Sequence, residues 1–200
     1  MTDQNTGTVN FTIKPETAAL TGPVERMLDA VFGPARFDKA SYRFRDGVAP
    51  LPELSHVAMA GDDVVGTIRY WPILVGSGNH AALLLGPLGI APHLAGKGIG
   101  RALTFRTLER AAAMGHDLVL LVGDVDYYKR FGFVPATPHG FIMPGETRPE
   151  RLQVAPLTRG VLSHIGGEIR HIHGSVSATA ATIAPAQASA AQPDIRFAVR

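Results

Sequence analysis

Leu85-Gly86-Pro87-Leu88-Gly89-Ile90-Ala91-Pro92-His93-Leu94-Ala95-Gly96-Lys97-Gly98-Ile99-Gly100-Arg101 is the stretch on which the reading of the chain turns. Its first part completes a nearly continuous apolar run from Ala81 to Ile90, the mark of a strand buried on both faces. A turn and a glycine-dense loop follow, and then Gly98 to Gly115, whose length and Ala, Leu, Arg and Glu content predict a helix. Such a loop can turn successive backbone N–H groups toward an anion while the helix start adds partial positive charge, so a phosphorylated ligand suits it. Gly96, Gly98 and Gly100 would let the backbone approach that ligand, because no Cβ intervenes. The blander alternative is a tight strand-to-helix turn that needs glycine for geometry alone. A triphosphate-hydrolysing loop requires an earlier glycine and a Ser or Thr after the lysine, and Gly96-Lys97-Gly98 has neither. A dinucleotide fingerprint requires Gly-x-Gly-x-x-Gly, and Arg101 stands where the third glycine belongs. Asp124 is suitably placed for a ribose-binding acid, but Ala91 to Ala95 separate the strand from its glycines, so dinucleotide binding is kept as a rival.

Upstream, Val9 to Lys14 alternates as a strand does, and Val24, Met27, Leu28 and Val31 carry helical spacing within Val24 to Phe32. Phe37 to Pro52 has no clear period and reads as a short helix or an excursion near a surface cleft. Leu54 to Ala60 and Val64 to Val75 form a hairpin around Gly61-Asp62-Asp63. Alternation in its second strand puts Arg69 and Trp71 on one face, where they could line a cleft. Within the helix after Gly98, Arg106 and Arg110 interrupt the arc otherwise occupied by Ile99, Leu103 and Ala113. Leu118 to Val122 predicts a strand and Asp124 to Phe131 a short helix, with strands over Gly132 to Val134, Gly140 to Met143 and Arg151 to Leu157. This order gives an α/β (α+β) fold around one mixed sheet. The domain is expected over residues 8–165, followed by a tail over 166–200. From about Gly174 nine of the last 26 residues are alanine, too few large apolar groups to offset ordering entropy, so the tail is expected to be mobile.

With 46% hydrophobic and 18% charged residues among 200, the chain has material for one ordinary core. Nineteen basic against 17 acidic residues leave a charge of +2, too little for a nucleic-acid footprint. The absence of cysteine removes disulfides, thiolate nucleophiles and Cys-ligated metals. His171 and His173 lack further ligands, so no metal is expected. Met1 to Lys14 does not read as a secretory signal, which makes the cytoplasm the expected location. Tyr70 to Gly96 carries no charged residue, but its prolines and glycines leave pieces far below the ~18–20 apolar residues of a membrane span.

The run from Leu85 to Pro135 resembles the GCN5-related N-acetyltransferase (GNAT) superfamily, and within it the bacterial YhbS-like acetyltransferases. That family has a Gln/Arg-x-x-Gly-x-Gly/Ala loop; Gly98-Ile99-Gly100 match its glycines, and Ala95 departs from it where Gln or Arg is usual. Tyr127-Tyr128-Lys129-Arg130-Phe131-Gly132-Phe133, about 30 residues downstream, is similar to the family's Phe-Tyr-x-x-x-Gly-Phe segment. The resemblance implies a mostly antiparallel sheet flanked by helices, with one parallel strand pair splayed into a cleft for acetyl-CoA. It implies that Leu88, Gly89 and Ile90 meet the pantetheine arm and thioester, and that Ala95, Gly96, Lys97, Gly98, Ile99, Gly100 and Arg101 hold the pyrophosphate. Tyr128 would be the general acid toward the CoA sulfur, its phenol being protonated at neutral pH yet close to a thiol in acidity. As a base Asp124 has the best position, with capping of the following helix as its alternative use; Glu53, His56, His80 and His93 are further candidates. The implied partner is a small-molecule or protein amine, without nucleic acid or membrane, and a homodimer is compatible with the sequence. A non-catalytic acyl-CoA-binding module is the rival from another class.

Overall fold

The computed structural model describes residues 10–174. In chain order its main elements are β1 (Thr12–Pro15), α1 (Thr21–Phe32), β2 (His56–Ala60), β3 (Asp63–Val75), β4 (His80–Ile90), α2 (Ile99–Ala113), β5 (Leu118–Val122), α3 (Val125–Tyr128), β6 (Val134–Pro135), β7 (Phe141–Ile142), β8 (Leu152–Pro156) and β9 (Gly167–His171). Short 3-10 turns at Pro34–Asp38 and Ala40–Arg45 occupy the stretch that lacked a period. The sheet order is β1-β2-β3-β4-β5-β8-β6, with β9 pairing both β3 and β7. The apolar run Ala81 to Ile90 is thus the middle of the sheet, where burial on both faces requires such a composition.

Along that path only β4 and β5 are parallel, and they pair at Leu83–Val119 and Leu84–Leu120 alone. Past Leu84 the two strands diverge, and the β4 edge toward Ile90 has no strand partner on that side. The β3–β4 register also shifts between Ile68–Leu88 and Tyr70–Leu85, so that Gly86 and Pro87 both stand opposite Arg69. A bulge of this kind bends a strand and increases its local twist, and here it falls where β5 leaves β4.

Helices α1 and α2 close onto opposite faces of the sheet at two glycines. A Cβ on Gly66 would stand 2.8 Å from Ile99 Cγ2 of α2, and one on Gly89 2.8 Å from Leu28 Cδ2 of α1. The face of α2 that meets the sheet is Ile99, Gly100, Leu103, Thr104, Thr107, Leu108 and Ala111, a regular helical stripe. Its two threonines hide it from a hydrophobic count: the Thr104 and Thr107 hydroxyls donate to the Gly100 and Leu103 carbonyls at 2.8 Å, and Thr107 also meets the buried Tyr70 hydroxyl at 2.8 Å. Arg106, Arg110 and Ala113 are exposed, so the arc expected through Ala113 is not the buried one.

β9 corrects the expected domain end at residue 165. Ile169 is fully buried, and Ile73, Leu74 and Val75 of β3 pair with His171, Arg170 and Ile169. The folded part therefore extends through β9, and the tail reading beyond residue 174 lies outside the described residues.

Candidate active site

Two glycines shape the start of α2. Gly98, the N-cap, has a φ of +82°, and Gly96 before it has a φ of +77°, a left-handed backbone that other residues adopt at a cost. A Cβ on either would meet nothing within 4 Å, so both face open space. No side chain caps the helix. Its first ladder bond runs from Ala102 N to Gly98 O at 2.9 Å, leaving the N–H groups of Gly98 to Arg101 without a helical acceptor. Together with the helix dipole they give this end a positive potential suited to an anion.

This end opens on a cleft of about 500 Å³. Leu88 and Ile90 of the free β4 edge line it, with Ala95, Gly96 and Gly98 of the loop, Ile99 to Arg101 of α2, and Tyr127, Tyr128 and Arg130. Two residues expected there do not line it: Gly89 is buried beneath Leu28 of α1, and Lys97 is exposed to solvent. Gly100 lines it too, and a Cβ there would stand 2.6 Å from the Tyr127 hydroxyl. The glycine is what allows α3 to lean across the first turn of α2.

Asp124 caps α3, its Oδ1 accepting from Tyr127 N at 2.7 Å. The Tyr128 ring packs edge-on against Tyr127 and Phe133, with centroids 4.9 and 5.6 Å away. Burial, reinforced by Tyr127, pushes the Tyr128 phenol above its ordinary pKa, so the hydroxyl stays protonated. Tyr128 and Leu88 also line a second cavity of about 200 Å³ with Asp124, Lys39, Arg45 and Arg151. Tyr42, Arg45 and Pro87 in turn join that cavity to a third, of about 620 Å³, where Arg69 and Trp71 share a wall. Tyr128 thus stands at the junction between the helix-end cleft and the two cavities on the α1 side.

An ion-pair network supports this third cavity. Arg69 donates to both oxygens of Glu16 at 2.8 and 2.5 Å and to Glu25 at 2.5 Å, while the buried Arg36 bridges Glu25 and Asp29. Burial alone would raise the Glu25 carboxyl, but the hydrogen bonds from Arg69 and Arg36 outweigh it and hold its pKa below the ordinary carboxylate value. A carboxylate depressed on folding adds stability above its unfolded pKa and loses that contribution as pH falls through the folded value. Glu25→Gln is therefore expected to lower Tm at neutral pH, with the gap to wild type closing below about pH 4.5. Melting curves from pH 7 to 3 check this, and a gap that stays constant with pH would contradict it.

The other candidate bases do not line these cavities. His56 is buried in β2 and held below its ordinary pKa by burial, His80 lies 3.4 Å from Asp117, and Glu53 and His93 are exposed. The residues that sequence reading passed over are Lys39, Tyr42 and Arg45; their only signal was basic and aromatic residues interleaved over a stretch with no period. No helix among the described residues is long and apolar enough to cross a membrane.

The sequence model of the acetyltransferase (GNAT) family matches residues 23–133, more than half of the 200. Among curated proteins, the uncharacterized N-acetyltransferase YhbS of Escherichia coli strain K12 is 26% identical over 116 residues, 56% of this chain and 70% of that protein. The crystal structure of Escherichia coli YhbS in complex with CoA matches with a TM-score of 0.71 at 22% identity, over 86% of this chain and 93% of that one. A GNAT family acetyltransferase from Brucella melitensis, in complex with acetyl-CoA, matches with a TM-score of 0.62 at 22% identity, over 83% of this chain and 98% of that one. Those two structures share the fold, and the matched residues 23–133 run from α1 through the splayed strand pair and the uncapped helix start to Phe133. The chain belongs to the acetyltransferase (GNAT) family and is an acyltransferase.

Proposed function

We propose that the protein transfers an acetyl group from acetyl-CoA to an amine by direct attack. The observation that carries this reading is the connection at Tyr128 between the anion-binding helix end and the α1-side cavities. The N–H groups of Gly98 to Arg101 receive the pyrophosphate, helped by the charges of Arg101 and Arg130. Ala95 adds no side-chain contact, so backbone amides carry that interaction. The free edge of β4 at Leu88 and Ile90 offers backbone groups to the pantetheine amides, as an added strand would use them, and to the thioester carbonyl.

The amine nitrogen bonds to the thioester carbon, the carbon–sulfur bond breaks, and its electron pair leaves on sulfur. Tyr128 gives that sulfur a proton. Burial keeps the phenol protonated until the thiolate forms, and it disfavours a thiolate in the same place, so the proton passes to sulfur. Asp124, with one oxygen committed to the cap, is the sole carboxylate among the described residues lining the cavity next to Tyr128. It draws the incoming ammonium, which loses two protons in all: the first goes to solvent before attack, and the second goes to Asp124 as the amide forms. Asp124 then releases its proton to solvent, and Tyr128 regains one from solvent. Calorimetric titration with acetyl-CoA, NAD and ATP tests the donor. Micromolar binding of acetyl-CoA without NAD or ATP is expected, and NAD binding without acetyl-CoA would overturn the reading.

A further inference from the structure

The two cavities on the α1 side share a guanidinium that the protein does not neutralise. Nε and Nη1 of Arg45 are buried without a hydrogen-bond partner, and no carboxylate among the described residues pairs with the group. Its guanidinium carbon lies 4.0 Å from the Tyr42 ring centre and 4.8 Å from that of Trp71, held between two aromatic faces. The neighbouring Arg36 and Arg69 are each engaged by two carboxylates. Burial lowers the Arg45 pKa to about 10, Tyr42 opposing and Arg36 and Arg69 assisting, so the group remains charged at neutral pH. A buried charge without a counter-ion is costly, and a ligand anion would remove that cost.

What surrounds Arg45 says which ligand. The cavity of about 200 Å³ holds Asp124 and Tyr128 together with Arg45, Lys39 and Arg151, one carboxylate among three cations. The larger cavity beyond is lined by the aromatic side chains of Phe37, Tyr42 and Trp71. Of the carboxylates lining it, Glu25 is taken by Arg36 and Arg69, and Asp46 is exposed.

We propose that the acceptor is a small amine bearing a carboxylate and an apolar body, an apolar amino acid in kind. Its amine lies toward Asp124 and Tyr128, its carboxylate on Arg45, and its side chain against Phe37 and Trp71. This rests on the acetyl-transfer reading and names its acceptor class. A polyamine would instead bring further positive charge beside Lys39, Arg45 and Arg151.

Two measurements test it, one of turnover and one of binding. In the first, CoA thiol release is followed with phenylalanine and leucine, their carboxamides, and spermidine. The free acids are expected to exceed the carboxamides at least about tenfold in kcat/KM, and Arg45→Gln to erase most of that ratio while Arg45→Lys keeps part. In the second, N-acetylphenylalanine and its carboxamide are titrated against the fluorescence of Trp71, the only tryptophan of the chain. The acid is expected to bind at least about tenfold more tightly. Both acid-to-amide comparisons are made on the wild-type protein, so they stand even where an Arg45 variant fails to fold. Equal turnover of carboxamides or spermidine overturns the acceptor assignment and leaves acetyl transfer intact. Acid-selective binding with no amine acetylated upholds the Arg45 site and removes acetyl transfer. Equal binding of acid and carboxamide, without acid-selective turnover, overturns the proposal.

Discussion

Tyr128→Phe is expected to lower kcat about 10²–10⁴-fold, the range of a lost general acid, with acetyl-CoA affinity kept within about threefold. The substitution removes one oxygen and keeps the ring that packs on Tyr127, Phe131 and Phe133, so the fold around α3 is retained. Because burial holds the hydroxyl above the ordinary phenol pKa, loss of its proton does not limit the rate near neutral pH. Tyr127→Phe is the informative contrast. That hydroxyl sits over Gly100 in the helix-end cleft, so its loss is expected to act on acetyl-CoA binding rather than on turnover. Unchanged kcat in Tyr128→Phe with a collapse in Tyr127→Phe would move the acid to the neighbouring tyrosine.

Gly98→Val is expected to weaken acetyl-CoA binding about ten- to a hundredfold. Valine resists the left-handed backbone that Gly98 adopts at φ +82°, so its N–H and the amides after it turn away from the anion. Losing one charge-assisted hydrogen bond removes roughly 1.5–3 kcal/mol, which is the stated range in Kd. The new side chain also projects into space that is open beside the helix end. Calorimetry on the variant checks this, and wild-type affinity would mean that the pyrophosphate lies elsewhere.

Much of this was legible in the sequence, and the reasons differ by element. The strand over 81–90 and the one over 118–122 are read from unbroken apolar runs, and their edges agree with the structure to within a residue. The Gly96 and Gly98 loop is legible because left-handed backbone needs glycine, whereas the closeness of Gly100 to the Tyr127 hydroxyl is a tertiary contact that the local sequence does not show. The buried stripe of α2 was misjudged because Thr104 and Thr107 satisfy their hydroxyls on the helix itself and so behave as core residues. β9 was missed because Gly167–His171 is short and polar, its single buried apolar residue being Ile169. Arg45 and Lys39 lie in the stretch expected near a cleft, but nothing local singles them out: they reach the cavity through 3-10 turns, whose placement beside β4 and β5 is a tertiary matter.

The most direct test of acetyl transfer is CoA thiol release from acetyl-CoA by the wild-type protein, with and without the amine panel. The chain has no cysteine, so every thiol that a disulfide reagent detects is CoA. Release that depends on a carboxylate-bearing amine and is lost in Tyr128→Phe is the expected result. Acetyl-CoA that binds but releases thiol no faster with any amine than without would contradict it and leave an acyl-CoA-binding module.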